Sequence, residues 1–225
     1  MLAEHVILSC LYFSRQVARL QRNRAAKVYD RFENTELRGA SLGILGYGNI
    51  GRATAKLATP FGMRVMGHRR TAVATAGEPD DLGVALYSGD DGLAAVLSCD
   101  YVAAVLPLTA ETKDFVTAAR FRQMKPTAVF INIGRGATVV ESDLCAALRA
   151  GTIRGAALDV FATEPLPESS ELWAIDDDRL LLTPHNADIS VEALPDAIRQ
   201  FATYAIDFVT KGTLPSYLVG IQRGY

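Results

Sequence analysis

The sequence predicts an α/β domain, a doubly wound parallel sheet of the Rossmann type with a helix at each end, and three observations predict it. Strand-like and helix-like segments alternate from residue 41 to residue 183, the order that parallel βαβ units require. Several of the strand-like segments are apolar throughout, as in Ala128-Val129-Phe130-Ile131, so their sheet must be covered on both faces. The first strand runs directly into a glycine-rich turn that opens a helix, Gly46-Tyr47-Gly48-Asn49-Ile50-Gly51.

Taken in order, the opening segment 3–22 spaces Val6, Ile7, Leu11, Phe13, Val17 and Leu20 as one helix with a wide apolar face, which needs a partner to cover it. From 23 to 38 the chain turns polar and charged, with Arg24, Lys27, Asp30, Arg31, Glu33 and Glu36 and few apolar anchors. Such a stretch reads as an exposed arm suited to a second copy of the chain, and hence to a homodimer. Strands are expected over 41–45, 64–66, 101–106, 128–132, 155–160 and 180–183. Helices are expected over 50–61, 92–97, 118–124 and 142–149, the last stopped by Gly151. A final helix covers 191–211 and a tail follows to residue 225.

Composition narrows the function. With 49% hydrophobic residues in 225, the chain can bury a sizeable core. Its 23 basic and 25 acidic residues leave a formal charge of −2 without a block of one sign, which speaks against a nucleic-acid or membrane surface and for a small-molecule partner. Cys10, Cys99 and Cys145 are odd in number and set in apolar sequence, the pattern of buried thiols in a reducing, cytoplasmic compartment. No apolar run is long enough to span a membrane, and no cluster with metal-ligand spacing stands out.

The glycine turn has the letters and the context of a dinucleotide-binding loop. Gly46 permits the tight turn, Gly48 lets the backbone approach a pyrophosphate, and Gly51 lets the helix pack on the strand. Asn49 and Ile50 open the helix, whose N-terminus faces the phosphates with partial positive charge. An acidic residue about twenty positions on would hold the ribose hydroxyls of NAD. Here His68-Arg69-Arg70 fill that slot, with Arg69 twenty-three positions after Gly46. A guanidinium there suits a 2′-phosphate, so NADP(H) is favoured over NAD(H), which stays possible.

Farther along, Arg135, Glu164 and His185 are the residue types that reduction of a 2-oxo acid requires: a carboxylate anchor, a partner for a histidine, and a proton donor. Their settings carry a resemblance. The helix opening Ala3-Glu4-His5, the segment Leu106-Pro107-Leu108-Thr109-Ala110-Glu111-Thr112, Ile131-Asn132-Ile133-Gly134-Arg135-Gly136, Asp159-Val160-Phe161-Ala162-Thr163-Glu164-Pro165 and Leu182-Thr183-Pro184-His185 together resemble the D-isomer-specific 2-hydroxyacid dehydrogenases over nearly the whole chain. The terminal Gly224-Tyr225 is similar to a common ending of that family.

The resemblance implies that Arg135 anchors the substrate carboxylate, that His185 protonates the carbonyl oxygen as hydride arrives at carbon, and that Glu164 holds the imidazole. It implies that Pro107, Thr109, Thr112 and Asn132 line the cofactor cleft and that Asp159 meets the nicotinamide carboxamide. The substrate it implies is a small 2-oxo or 2-hydroxy acid of the glyoxylate or hydroxypyruvate kind. His5 and Trp173 are read as structural. The family pattern also has a substrate lobe ahead of the opening helix, where this chain begins. That lobe is therefore expected to lie outside the chain, leaving the first and last helices with apolar faces to cover, the last one with residues 190–225 against the lobe. Asn186 and Asp188 stand where many members carry an apolar residue and a glycine or serine. The other function compatible with these residues is a non-catalytic module whose dinucleotide occupancy regulates a partner.

Overall fold

The computed structural model describes residues 1–214, so the expectations for the tail and for Gly224-Tyr225 lie outside the described residues. Seven parallel strands form one sheet: β1 (Ser41–Leu45), β2 (Arg64–His68), β3 (Ala85–Tyr87), β4 (Tyr101–Ala104), β5 (Val129–Asn132), β6 (Gly155–Leu158) and β7 (Leu180–Leu182), in the order β3-β2-β1-β4-β5-β6-β7. The doubly wound expectation holds. The sheet contains one strand more than the sequence pattern indicated, because β3 is three residues long and only half-buried. It extends the edge beyond β2.

The central strands explain their own sequence. Along β5, Phe130 points into one apolar layer while Val129 and Ile131 point into the other, the alternation a strand imposes when both of its faces are covered. One layer is closed by α4 (Gly89–Leu97), the short α5 (Ala118–Phe121) and α6 (Glu141–Ala150) through Val96, Leu97, Phe121, Leu144 and Leu148. The other is closed by α1 (Leu2–Ser14) and α3 (Asn49–Ala58) through Val6, Cys10, Phe13, Ala55 and Ala58. All three cysteines are buried free thiols.

Two expectations for the ends need correction. The opening segment is not one helix: it breaks at Arg15 and Gln16, where Gln16 takes φ 51°, and restarts as α2 (Val17–Ala25). Nor does the first helix keep an apolar face bare. Val6, Ile7, Cys10 and Phe13 are buried against α3 and the sheet, which serves as the partner that face needed. Of the expected arm over 23–38, residues 23–25 belong to α2 and Leu37 is buried in the core, while the stretch between is mostly exposed, with Phe32 half-buried. The last helix, α7 (Ala193–Lys211), buries none of its residues and exposes Leu194, Ile198, Phe201 and Phe208. Among the described residues no helix is long and apolar enough to cross a membrane.

Candidate active site

The strand order reverses at β1: the chain steps outward to β2 and β3, then returns to place β4 on the other side. In such sheets the crevice outside the carboxyl ends of the strands at this switch point is where a ligand fits, and the glycine turn sits there. Gly46 has φ +93°, and a Cβ on it would lie 2.7 Å from the carbonyl oxygen of Val105 just beyond β4. The turn is pinned from the other side, with the amides of Gly46 and Tyr47 both donating to the carbonyl of His68 at 3.0 and 2.9 Å. The Tyr47 side chain is engaged away from the turn. Its ring is buried over Gly67, and its hydroxyl donates to Asp80 at 2.8 Å, beside Arg52 on the same carboxylate. Burial first, and then Asp80, push that phenol's pKa up.

Two features fit a dinucleotide. Gly48, at the N-terminus of the ten-residue helix α3, has open space where a Cβ would project, with nothing within 4 Å. The buried Nε of Arg69, at the end of β2, has no hydrogen-bond partner. A pyrophosphate fits the first, since the helix end offers amides and partial positive charge, and a 2′-phosphate would satisfy the second. The neighbours of Arg69 are engaged: the His68 ring contacts the carbonyl of Gly89 at 3.1 Å, and Arg70 pairs with Glu111 at 3.1 Å. Among the described residues no group of three histidine, cysteine, aspartate or glutamate side chains is placed to hold a metal ion.

Close backbone approaches join the remaining loops. A Cβ on Gly134 would meet the Leu106 backbone oxygen at 2.6 Å, and one on Gly136 would fall 1.8 Å from the carbonyl carbon of Phe161. Only glycine lets the loop after β5 lie against the loop after β6, so the Arg135 and Glu164 segments meet because Gly136 has no side chain. Several residues expected to line the cleft also shape it. Asn132 is buried, donates to the Arg135 carbonyl at 3.2 Å and accepts from the Gly134 amide at 3.1 Å. The Thr112 hydroxyl donates to the Pro107 carbonyl at 2.5 Å and accepts from the Thr109 amide at 2.8 Å.

Arg135 is exposed at the crevice end of β5, its guanidinium donating to the Gly134 carbonyl at 2.7 Å. Glu164 and His185 come together across twenty-one residues, with Nδ1 of His185 2.7 Å from Oε2 of Glu164. The other carboxylate oxygen accepts the Phe161 amide at 2.9 Å. Burial raises the Glu164 carboxyl, yet the His185 bond, the Phe161 amide and the charges of His185 and Arg135 together hold it below its ordinary value. Since an ionised carboxylate only accepts, Nδ1 must carry a proton, and Nε2 of His185 is left for a substrate. His185 has φ 52°, an uncommon backbone for a residue with a side chain.

That backbone is held from below. Asp159, 1% exposed, accepts the Thr183 hydroxyl (2.5 Å) and the Asn186 amide (3.1 Å) on Oδ1, and the Ala187 amide (3.1 Å) on Oδ2. Asp159, which the resemblance assigns to the nicotinamide carboxamide, also clamps the segment that carries His185. His5 also reaches this cluster, with Nε2 3.3 Å from the Thr183 hydroxyl. Periodicity along the chain carries no signal for a contact between residues 178 positions apart. Trp173 is 57% exposed and donates to the Pro167 carbonyl at 2.9 Å, tying its loop together.

Comparison with known proteins follows the same lines. Residues 7–187 match the NAD-binding domain of the D-isomer-specific 2-hydroxyacid dehydrogenases. Glyoxylate/hydroxypyruvate reductase A of Yersinia enterocolitica is 32% identical over 224 residues, which cover 99% of this chain and 68% of that protein. Glyoxylate reductase of Pyrococcus furiosus is 37% identical over 188 residues, or 84% of this chain and 53% of that one. Among solved structures, a D-isomer-specific 2-hydroxyacid dehydrogenase from Xanthobacter autotrophicus Py2 in complex with NADPH and MES superimposes with a TM-score of 0.85 at 34% identity, covering all of this chain and 89% of that one. The NADPH-dependent glyoxylate/hydroxypyruvate reductase of Sinorhizobium meliloti, in complex with NADP and sulfate, gives a TM-score of 0.85 at 29% identity, covering all of this chain and 69% of that one.

Proposed function

Because this chain belongs to the D-isomer-specific 2-hydroxyacid dehydrogenases, NAD(P)-linked oxidoreductases of hydroxy acids, we propose that it reduces a small 2-oxo acid of the glyoxylate or hydroxypyruvate kind with NADPH. The observation that carries the reading is the Glu164–His185 pair at 2.7 Å, because it fixes an imidazole with one nitrogen held and the other free. A module that only sensed cofactor occupancy has no use for such a pair.

Bound NADPH supplies a hydride to the carbonyl carbon of the substrate. Arg135 holds the substrate carboxylate, a pairing its planar guanidinium makes bidentately, and polarises the adjacent carbonyl. His185 gives a proton from Nε2 to the carbonyl oxygen, which becomes the hydroxyl, and is reprotonated from water. Glu164 keeps the ring oriented and offsets its positive charge. The preference for NADPH is assigned to Arg69, on the strength of its unpartnered buried Nε.

Cytoplasmic residence is proposed from the three buried free thiols, and a homodimer from the arm. Tyr29 on that arm is 95% exposed, and α1 and α2 border a cavity of about 700 Å³ lined by Tyr12, Arg19, Arg22, Arg154, Asp178 and Arg179, which a second copy could fill. His185→Gln tests the reaction. Reduction of glyoxylate or hydroxypyruvate is expected to vanish while NADPH affinity, followed by nicotinamide fluorescence, stays within about twofold. Unchanged turnover removes His185 from the mechanism.

A further inference from the structure

We propose that His5, on α1, is a positioning residue for the candidate active site, acting through the Thr183 hydroxyl and Asp159 to set the backbone of His185. The inference rests on the reading of His185 and Glu164 as the working pair.

The argument starts from proton counting. Thr183 has a single hydroxyl proton, and its shortest contact is the Asp159 carboxylate at 2.5 Å, a group that only accepts when ionised. The proton therefore points at Asp159, and the Thr183 oxygen turns a lone pair to Nε2 of His5 at 3.3 Å. Nε2 must then be the protonated nitrogen of His5. A neutral ring meets this need, and burial lowers the pKa of His5, with the charge of Asp159 opposing. The His5 side chain is buried on α1, and the adjacent Val6 sits in the core layer that contains α3 and the sheet. His5 is thus a donor held by a rigid element.

The receiving end is the segment that needs support. Thr183 also accepts the His185 amide on its carbonyl at 3.1 Å, so one residue takes His5 on its side chain and His185 on its main chain. Asp159 completes the clamp by holding the amides of Asn186 and Ala187, the two residues after His185. A backbone at φ 52° persists only where its surroundings over-determine it. Without the His5 donor the Thr183 hydroxyl can turn, Asp159 loses its short contact, and the imidazole is no longer aimed at Glu164.

The test reads ring nitrogens and needs no turnover. The chain has three histidines, so the 15N ring resonances of His185 can be assigned at alkaline pH, where each neutral ring carries one proton. In the wild type His185 is expected to show the Nδ1–H form, and in Glu164→Gln to lose it. His5→Leu and Thr183→Val should each lose at least half of that signature. His5→Gln, whose amide nitrogen reaches nearly as far as Nε2, should retain it. A purely structural role for His5 predicts lower stability in His5→Leu with the Nδ1–H form intact, and that result overturns the proposal. If His5→Leu does not fold, Thr183→Val decides alone, because it keeps the shape and removes only the hydroxyl. If Glu164→Gln leaves the wild-type form in place, the working pair itself is wrong and this inference falls with it.

Discussion

Glu164 carries the clearest consequence at the scale of single residues, because its partners favour the ionised form. Its folded pKa lies below the ordinary carboxyl value of 4.5, so its contribution to stability is fully present above about pH 4.5. That contribution is lost as the pH falls from there through the lower folded value. Glu164→Gln should therefore unfold at lower urea than the wild type near neutral pH, with the gap closing as the pH drops below 4.5. Urea midpoints measured across that range check both the sign and the window. Arg69 permits a second residue-scale expectation. Replacing it with Gln removes a charge-assisted contact worth about 1.5–3 kcal/mol, so NADPH should bind about tenfold or more weakly while NADH changes little. Equal losses for both cofactors would take the phosphate contact away from Arg69. Local motifs drew attention to Arg135, Glu164 and His185, and the fold brings the last two to 2.7 Å of each other. Roles made by contact across the fold were not legible: Asp159 was noticed for its motif, but its clamp on residues 183–187 exists only once β6 and β7 lie side by side.

Elements were legible in proportion to how much apolar surface they bury. The strands from β4 to β7 declared themselves through continuous apolar runs, and α6 through its stop at Gly151, which takes φ 69°. The short β3 did not, because Ala85, Leu86 and Tyr87 are only half-buried and make too brief a run. The break between α1 and α2 was hidden because Gln16 is no helix breaker, and only the fold requires its left-handed backbone. Glycines separate two kinds of constraint among the loops that join these elements. Gly136→Ala places a Cβ against backbone of another loop, 1.8 Å from a Phe161 carbon, and cannot be relieved by a side-chain rotation. It should cost about 3 kcal/mol or more and part the loops that bring Arg135 to Glu164. Gly48→Ala meets no protein atom within 4 Å, and at this helix-capping position should cost no more than about 1 kcal/mol. Its methyl group nevertheless projects where the pyrophosphate would lie, so NADPH affinity should fall about tenfold or more. Urea denaturation beside cofactor titration separates the two; a Gly48→Ala protein that binds NADPH normally would place the phosphates elsewhere.

For the whole molecule, the uneven distribution of burial decides how it should open. The sheet and its two helical layers enclose two apolar clusters, whereas α7 contributes no buried residue to either. Most helical stability comes from packing an apolar face rather than from propensity. A helix with Leu194, Ile198, Phe201 and Phe208 in solvent therefore has little holding it to the body, and the free energy to open it should lie near the bottom of the range, well below that of the sheet. In hydrogen exchange on a dilute sample, the amides of α7 should exchange orders of magnitude faster than those of β4 and β5. Raising the protein concentration then becomes informative. If a second copy covers this stripe, protection of α7 should rise in step with the dimer fraction seen by sedimentation velocity. If dimers form through the arm around Tyr29, protection should rise over residues 26–34 and around the cavity beside α1 and α2, leaving α7 fast. The second pattern is the expected one. The cavity offers Arg22, Arg154 and Arg179 alongside Tyr12, guanidinium and phenol groups of the kind that anchor protein interfaces, whereas the α7 stripe offers aliphatic and phenylalanine side chains without them.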